Sequence, residues 1–204
     1  MIRIFHAPRT RSIRVVWLME ELGLPYEVQA CTLRDLPAEL VAHNPAATLP
    51  LMIDGDVVLA ESVTMLEYVA DTYGPTELAI ERDDPRYWDY RQMLVFGEAS
   101  VAALINPIVG TMFMAPEDER SNFTTNVIKG LIKKRLSVVE KRLAAQSFIM
   151  GEAFTIADIS VGYGINLMLA VPSLGLGELI SDPVRAYYER LAARPAFQRM
   201  IKVK

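Results

Sequence analysis

Leu49-Pro50-Leu51-Met52-Ile53-Asp54-Gly55-Asp56-Val57-Val58-Leu59-Ala60-Glu61-Ser62 is the segment on which the architecture turns. Apolar residues flank Asp54-Gly55-Asp56, and an Asp-Gly pair between apolar runs is a strong hairpin signal. Leu49–Leu59 therefore predicts two antiparallel strands. Ser62 follows as a candidate N-cap for a helix to about Tyr73, which Gly74-Pro75 ends.

Upstream, Ile2 and Ile4 open a short apolar strand. Val15, Leu18, Met19 and Leu22 fall at helical spacing and predict a helix over Ser12–Leu22, with Gly23 at its C′ position and Pro25 blocking re-entry. Tyr26–Cys31 reads as a second strand, and Leu36–His43 as a short helix stopped before Pro45. The order is β-α-β-α-β-β-α. Two strands joined through a helix are parallel and the hairpin antiparallel, so the expectation is a small mixed sheet with helices on its faces.

Downstream, the polar stretch Thr76–Asp84 reads as a linker, and no convincing strand follows Pro85. Arg86–Phe113 has helical periodicity, with Pro107 expected to kink or break it. Pro116–Ala145 predicts a long helix weakened at Gly130. Thr155-Ile-Ala-Asp158 forms a capping box before an apolar helix. Asp182-Pro183 and Arg194-Pro195 start two more, with proline at N1. The expected domains are 1–78, α/β, and 85–204, all-α.

The 204 residues carry a net charge of −4 and are 51% apolar and 23% charged, enough to bury a core and against disorder or a fibrous fold. Mild acidity argues against a nucleic-acid partner. The single Cys31 rules out an internal disulfide framework, and with only His6 and His43 besides, no metal site is expected. The N-terminus lacks a signal-peptide pattern, and Asn166, Pro172 and Ser173 interrupt the apolar run Gly162–Leu176. A cytoplasmic protein that does not enter a membrane is the expectation.

Several segments, in this order, resemble the cytosolic glutathione transferases over nearly the whole chain. They are Arg9-Thr10-Arg11-Ser12-Ile13-Arg14-Val15, Glu20-Glu21-Leu22-Gly23-Leu24-Pro25-Tyr26-Glu27, Asn44-Pro45-Ala46-Ala47-Thr48-Leu49-Pro50, Asp54-Gly55 with Glu61-Ser62, Phe154-Thr155-Ile156-Ala157-Asp158, and Arg194-Pro195-Ala196-Phe197. The resemblance implies a thioredoxin-like N-terminal domain that binds glutathione. It also implies an all-helical C-terminal domain that contributes the electrophile site, and a homodimer.

A cis bond before Pro50 costs only about 0.5–1 kcal/mol. It would turn the Leu49 backbone toward an extended peptide ligand, in the family the cysteinyl part of glutathione; the alternative is a trans proline starting a strand. Ser62, at a helix N-terminus, suits the γ-glutamyl carboxylate, and Glu61 the ligand's α-amino group. Ser62 can cap the helix as well. His43 and Thr48 are candidates for the glycyl end, although His43 equally reads as a surface residue ending a helix.

Family members stabilise the glutathione thiolate with a tyrosine, serine or cysteine near the first helix. The catalytic-tyrosine position falls at Phe5, the first tyrosine is Tyr26, and no cysteine lies between Phe5 and Arg14. That leaves a bacterial-type, serine- or threonine-like member with Thr10 first, then Ser12, then the cation Arg11. Ser12 is also a candidate N-cap. Met112, Phe113 and Met114 would wall an apolar electrophile pocket between the two halves, or fill the helical core. The resemblance points to a transferase acting on a small apolar electrophile. Alternatives are a glutathione-dependent isomerase or reductase, or a non-catalytic ligand-binding or interaction protein.

Overall fold

A computed structural model describes residues 1–204, which form two compact units. The first comprises Met1–Thr76 and Ala192–Lys204. Its elements are β1 (Ile2–His6), α1 (Ser12–Leu22), β2 (Tyr26–Ala30), α2 (Ala38–His43), β3 (Leu51–Asp54), β4 (Val57–Leu59) and α3 (Ser62–Thr72). The sheet order is β2-β1-β3-β4, with β1 and β2 parallel and the other pairs antiparallel. The predicted mixed sheet and hairpin are therefore present. Gly23 takes the left-handed conformation (φ 64°) and its N–H caps the Met19 carbonyl, as its place after Leu22 requires.

The second unit, Glu77–Leu191, is helical. It contains α4 (Tyr87–Phe96), α5 (Ala103–Met114), α6 (Phe123–Leu143), α7 (Ile156–Ala170) and α8 (Asp182–Ala192). Helix α7 is buried from Ile156 to Met168, which explains an apolar sequence with no polar face. Pro107 does not break the helix. A π-helical turn at Gly97–Ala102 joins α4 to α5 just upstream, and Pro107 lies inside α5. Gly97 permits the close approach of α7, because a Cβ there would lie 2.5 Å from the Ser160 backbone. The continuous helical run Tyr87–Met114 is long and apolar enough to cross a membrane by length and composition, and 39% of its most apolar window is buried inside the protein. The expected helix over Pro116–Ala145 begins later, at Phe123, where Asn122 and Thr125 form a reciprocal capping box.

Asp158 carries the other capping box. Its carboxylate accepts from the backbone N–H of Thr155 and of Ile149 (both 2.8 Å), from the Tyr187 hydroxyl (2.9 Å) and from the Thr155 hydroxyl (3.2 Å).

The sequence assigns all of 85–204 to the helical half, but the chain returns its last segment to the first unit. The cause is a set of contacts between α1 and the final helix, α9 (Pro195–Met200). The Phe197 ring meets Trp17 edge-on at 5.0 Å. Arg194 donates through Nε and Nη2 to the Glu21 carboxylate at 2.6 and 2.8 Å, and Trp17 Nε1 donates to the same group at 2.9 Å. The Glu21 side chain is 8% exposed, so removing its partner strands a nearly buried charge. Arg194→Ala is expected to cost about 1.5–3 kcal/mol, the value of charge-assisted hydrogen bonds. A drop in the urea midpoint of the full chain checks it.

Candidate functional site

Strand register brings the candidate residues to one end of the sheet. Phe5 at the end of β1 pairs with Leu51 at the start of β3, while Met52 pairs with Leu59 at the end of β4. The loop leaving β1, the segment entering β3 and the segment leaving β4 must therefore emerge together. These carry Ala7–Arg11, Thr48–Pro50 and Glu61–Ser62. The Leu49–Pro50 bond is cis. Arg9 (φ 66°) and Ala47 (φ 51°) are the chain's two non-glycine residues with positive φ, and each lies in one of these loops. Such conformations persist only where surroundings over-determine them, and they cluster at functional sites.

At the third segment, Ser62 is the first residue of α3, not its N-cap. Glu61 takes the cap position with extended backbone (φ −99°) and no side-chain capping bond. The exposed Glu61 carboxylate is thus not spent on the helix. Ser62 Oγ accepts a 3.1 Å bond from Arg14 Nη1, and both residues are buried. Arg14 thereby places a guanidinium behind the positive end of α3, adding to its attraction for an anion. The accepted bond also leaves the Ser62 O–H proton for another acceptor.

The segment entering β3 is closed by the side-chain amide of Asn44, which donates to Thr48 Oγ1 at 3.0 Å and to the Thr48 carbonyl at 3.2 Å. Thr48 is exposed and Leu49 buried. His43 ends α2 and is exposed.

In the loop after β1, Arg11 rather than Ser12 occupies the N-cap of α1 and makes no side-chain cap. Ser12 is fully buried, its hydroxyl 2.8 Å from His6 Nδ1 and 2.7 Å from Thr10 Oγ1. Thr10 is half-buried, and its hydroxyl also reaches the Ala7 carbonyl at 2.8 Å. Of the two hydroxyls, Thr10 is the one open to the surface. Sequence reasoning missed His6 and Arg14. The signal was available in both: a polar residue within an apolar run, in β1 and on the apolar stretch of α1, needs a partner once buried.

Phe5 is fully buried. Cys31 follows β2, with its thiol 3.3 Å from the Gln29 carbonyl, and burial pushes its pKa up, against thiolate chemistry there. Met112 and Phe113 end α5 in the second unit; Met112 is half-buried and Phe113 is 63% exposed, so neither fills the helical core. That unit also holds a cavity of about 460 Å³ near its acidic start, with Glu77, Glu81, Asp83 and Glu152 on its wall.

Comparison with known proteins bears on both units. Residues 5–77 match the family described as glutathione S-transferase, N-terminal domain, and residues 103–195 match glutathione S-transferase, C-terminal domain. Glutathione S-transferase 3 of Schizosaccharomyces pombe is 29% identical over 171 residues, covering 78% of this chain and 70% of that protein. A glutathione transferase from Methylococcus capsulatus, 24% identical, has the same fold with a TM-score of 0.87 over 99% of this chain and 98% of that one. A glutathione transferase family member from Pseudomonas fluorescens Pf-5, solved with two glutathione bound, is 25% identical, with a TM-score of 0.84 over 100% of this chain and 93% of that one.

Proposed function

Because the chain belongs to the glutathione S-transferase family, we propose that it activates the glutathione thiol for attack on a small apolar electrophile. The ligand lies across the end of the sheet where β1, β3 and α3 meet. Its γ-glutamyl carboxylate takes the Ser62 hydroxyl and the free N–H groups of α3, and Glu61 pairs with its α-amino group. Leu49, beside Pro50, meets the cysteinyl backbone, while Thr48 and His43 face the glycyl end. The sulfur lies against the β1–α1 loop, where Thr10 donates to the thiolate and Arg11 adds positive charge. Ser12 acts behind Thr10, because it is buried. This is a serine/threonine-type site of the bacterial kind. Met112 and Phe113 contribute apolar surface for the electrophile, and the protein works as a cytoplasmic homodimer.

The observation that carries the reading is the Arg14–Ser62 bond at the start of α3, which prepares a helix N-terminus for a carboxylate. Calorimetric titration with glutathione and a pH scan of thiolate absorbance test it. Thr10→Ala is expected to raise the bound thiol's pKa by about 1–2, the equivalent of one charge-assisted hydrogen bond. Conjugation of an activated aryl chloride should slow accordingly. Absence of glutathione binding at several millimolar sinks the reading.

One observation favours a second reading, a glutathione-binding protein without transferase chemistry: the Ala7 carbonyl competes for the Thr10 proton at 2.8 Å. Wild-type binding with a thiol pKa equal to that of free glutathione selects it.

A further inference from the structure

The loop after β1 holds a longer hydrogen-bonded chain than a helix start needs. Thr10 Oγ1 lies 2.7 Å from Ser12 Oγ, and Ser12 Oγ lies 2.8 Å from His6 Nδ1. On the other side of the ring, His6 Nε2 lies 3.4 Å from the Val203 carbonyl oxygen. A carbonyl only accepts, so Nε2 carries a proton and a neutral His6 presents its lone pair at Nδ1. Ser12 must then donate to that nitrogen, so the 2.7 Å contact with Thr10 is a hydrogen bond only when Thr10 gives its one proton to Ser12 in place of the Ala7 carbonyl at 2.8 Å. Ser12 and His6 are both 0% exposed, and Thr10 is the half-buried member through which the chain reaches the surface.

We propose that His6 receives the thiol proton of bound glutathione through Thr10 and Ser12. The inference rests on the proposed reading that the glutathione sulfur lies against Thr10. The S–H bond breaks and its proton passes to Thr10 Oγ1. The Thr10 proton moves to Ser12 Oγ, and the Ser12 proton moves to His6 Nδ1. The products are a thiolate and an imidazolium, each hydroxyl has regained one proton, and no other reactant takes part. Every hydrogen bond along the chain has reversed. Nδ1–H now donates to Ser12, Ser12 to Thr10, and Thr10 to the sulfur anion. His6 touches no ligand atom; it acts through the two hydroxyls.

The surroundings of the ring keep it neutral until a thiolate forms. Burial pushes its pKa down. The groups able to carry charge near this end of the sheet are Arg9 and Arg11 in the loop, Arg14 on α1, Cys31 after β2, Lys202 and Lys204 beside Val203, and Glu61 before α3, whose exposed carboxylate the proposed reading assigns to the ligand's α-amino group. Five of these are cations, and burial holds the Cys31 thiol protonated. The carboxylates on the packed elements stand at their far ends: Glu27 on β2, Glu20 and Glu21 on α1, and Asp54 on β3. The glutathione thiolate is then the counter-charge that makes an imidazolium at His6 favourable.

The chain has two histidines, so imidazole nitrogen NMR of the full-length protein reads the step directly. The His6 signals are assigned from the His6→Asn variant. At neutral pH, added glutathione should convert the His6 ring from the neutral to the cationic signature. S-methylglutathione, which has no thiol proton, should bind and leave the ring neutral. If both ligands bind and His6 stays neutral with glutathione, the relay is wrong. If neither binds, the glutathione reading itself fails and this inference falls with it. The His6→Asn variant supplies a second test, because its amide oxygen accepts from Ser12 but cannot hold the proton. Its bound thiol pKa should rise by about one or more, roughly tenfold less thiolate at fixed pH. Its affinity for S-methylglutathione should be unchanged, which a merely structural role would not produce. An unaltered thiol pKa in the folded variant overturns the proposal.

Discussion

Asp158→Ala is expected to lower the unfolding free energy by about 4 kcal/mol or more, in the range reserved for a buried network losing its acceptor. Asp158 is 0% exposed and is the common acceptor for the Thr155 and Ile149 N–H groups and the Tyr187 hydroxyl. Alanine leaves these three donors, and the Thr155 hydroxyl as a fourth, without their acceptor, and each buried donor so orphaned costs about 1–3 kcal/mol. The loss also frees the start of α7, which packs at the centre of the helical unit. Tyr187→Phe removes one donor and leaves the carboxylate three others, so its cost alone is smaller. Asp158→Ala in the Tyr187→Phe background should cost less than in wild type, because one orphaned group is gone. Urea unfolding of the four proteins of this cycle checks both statements. Equal costs in the two backgrounds would show that the hydroxyl and the carboxylate do not act as a unit.

Burial lifts the Asp158 pKa to about 6 from its ordinary 3.8. The folded protein therefore binds this proton more tightly than the unfolded chain. The associated stabilisation is full below about pH 4, is lost as pH rises through 6, and is flat above. At neutral pH the carboxylate is ionised and accepts all of its donors.

The readable parts of this fold were those in which backbone geometry demands one residue type. Asp54-Gly55 specified the hairpin, Gly23 the end of α1, and Thr155 with Asp158 the start of α7. The positions misjudged were hydroxyls with two possible uses. Ser12 and Ser62 both resemble N-caps, yet each is the first residue inside its helix because a distant polar group claims its oxygen. His6 claims one and Arg14 the other. Pro107 does not end its helix: the run stays helical through it, with a π-helical turn upstream at Gly97–Ala102. That helix α9 packs on α1 is not readable locally, because its partner is remote. Glu21 and Arg194 are 173 positions apart, and nothing local in Arg194-Pro195-Ala196-Phe197 points to α1. The candidate site was legible as three separated segments. Their meeting depends on strand register, which pairs Phe5 with Leu51 and Met52 with Leu59.

Ser62→Ala is expected to weaken glutathione binding by about 10- to 100-fold, one charge-assisted hydrogen bond to a carboxylate at about 1.4 kcal/mol per tenfold. The expected effect is large because Arg14 already satisfies a lone pair of the Ser62 oxygen, which leaves the hydroxyl proton for another acceptor. The substitution also leaves the Arg14 guanidinium, 0% exposed, without that acceptor. Stability alone could therefore fall, and a ligand-side comparison separates the two effects. Cysteinylglycine lacks the γ-glutamyl carboxylate. It should bind the wild type far more weakly than glutathione does, and Ser62→Ala should weaken it no further. Glu61→Gln should weaken glutathione by about tenfold and likewise spare cysteinylglycine, because the α-amino group is missing from it too. If Ser62→Ala weakens both ligands equally, the residue supports the fold of the site and does not touch the carboxylate. The γ-glutamyl group must then be held elsewhere than at the start of α3.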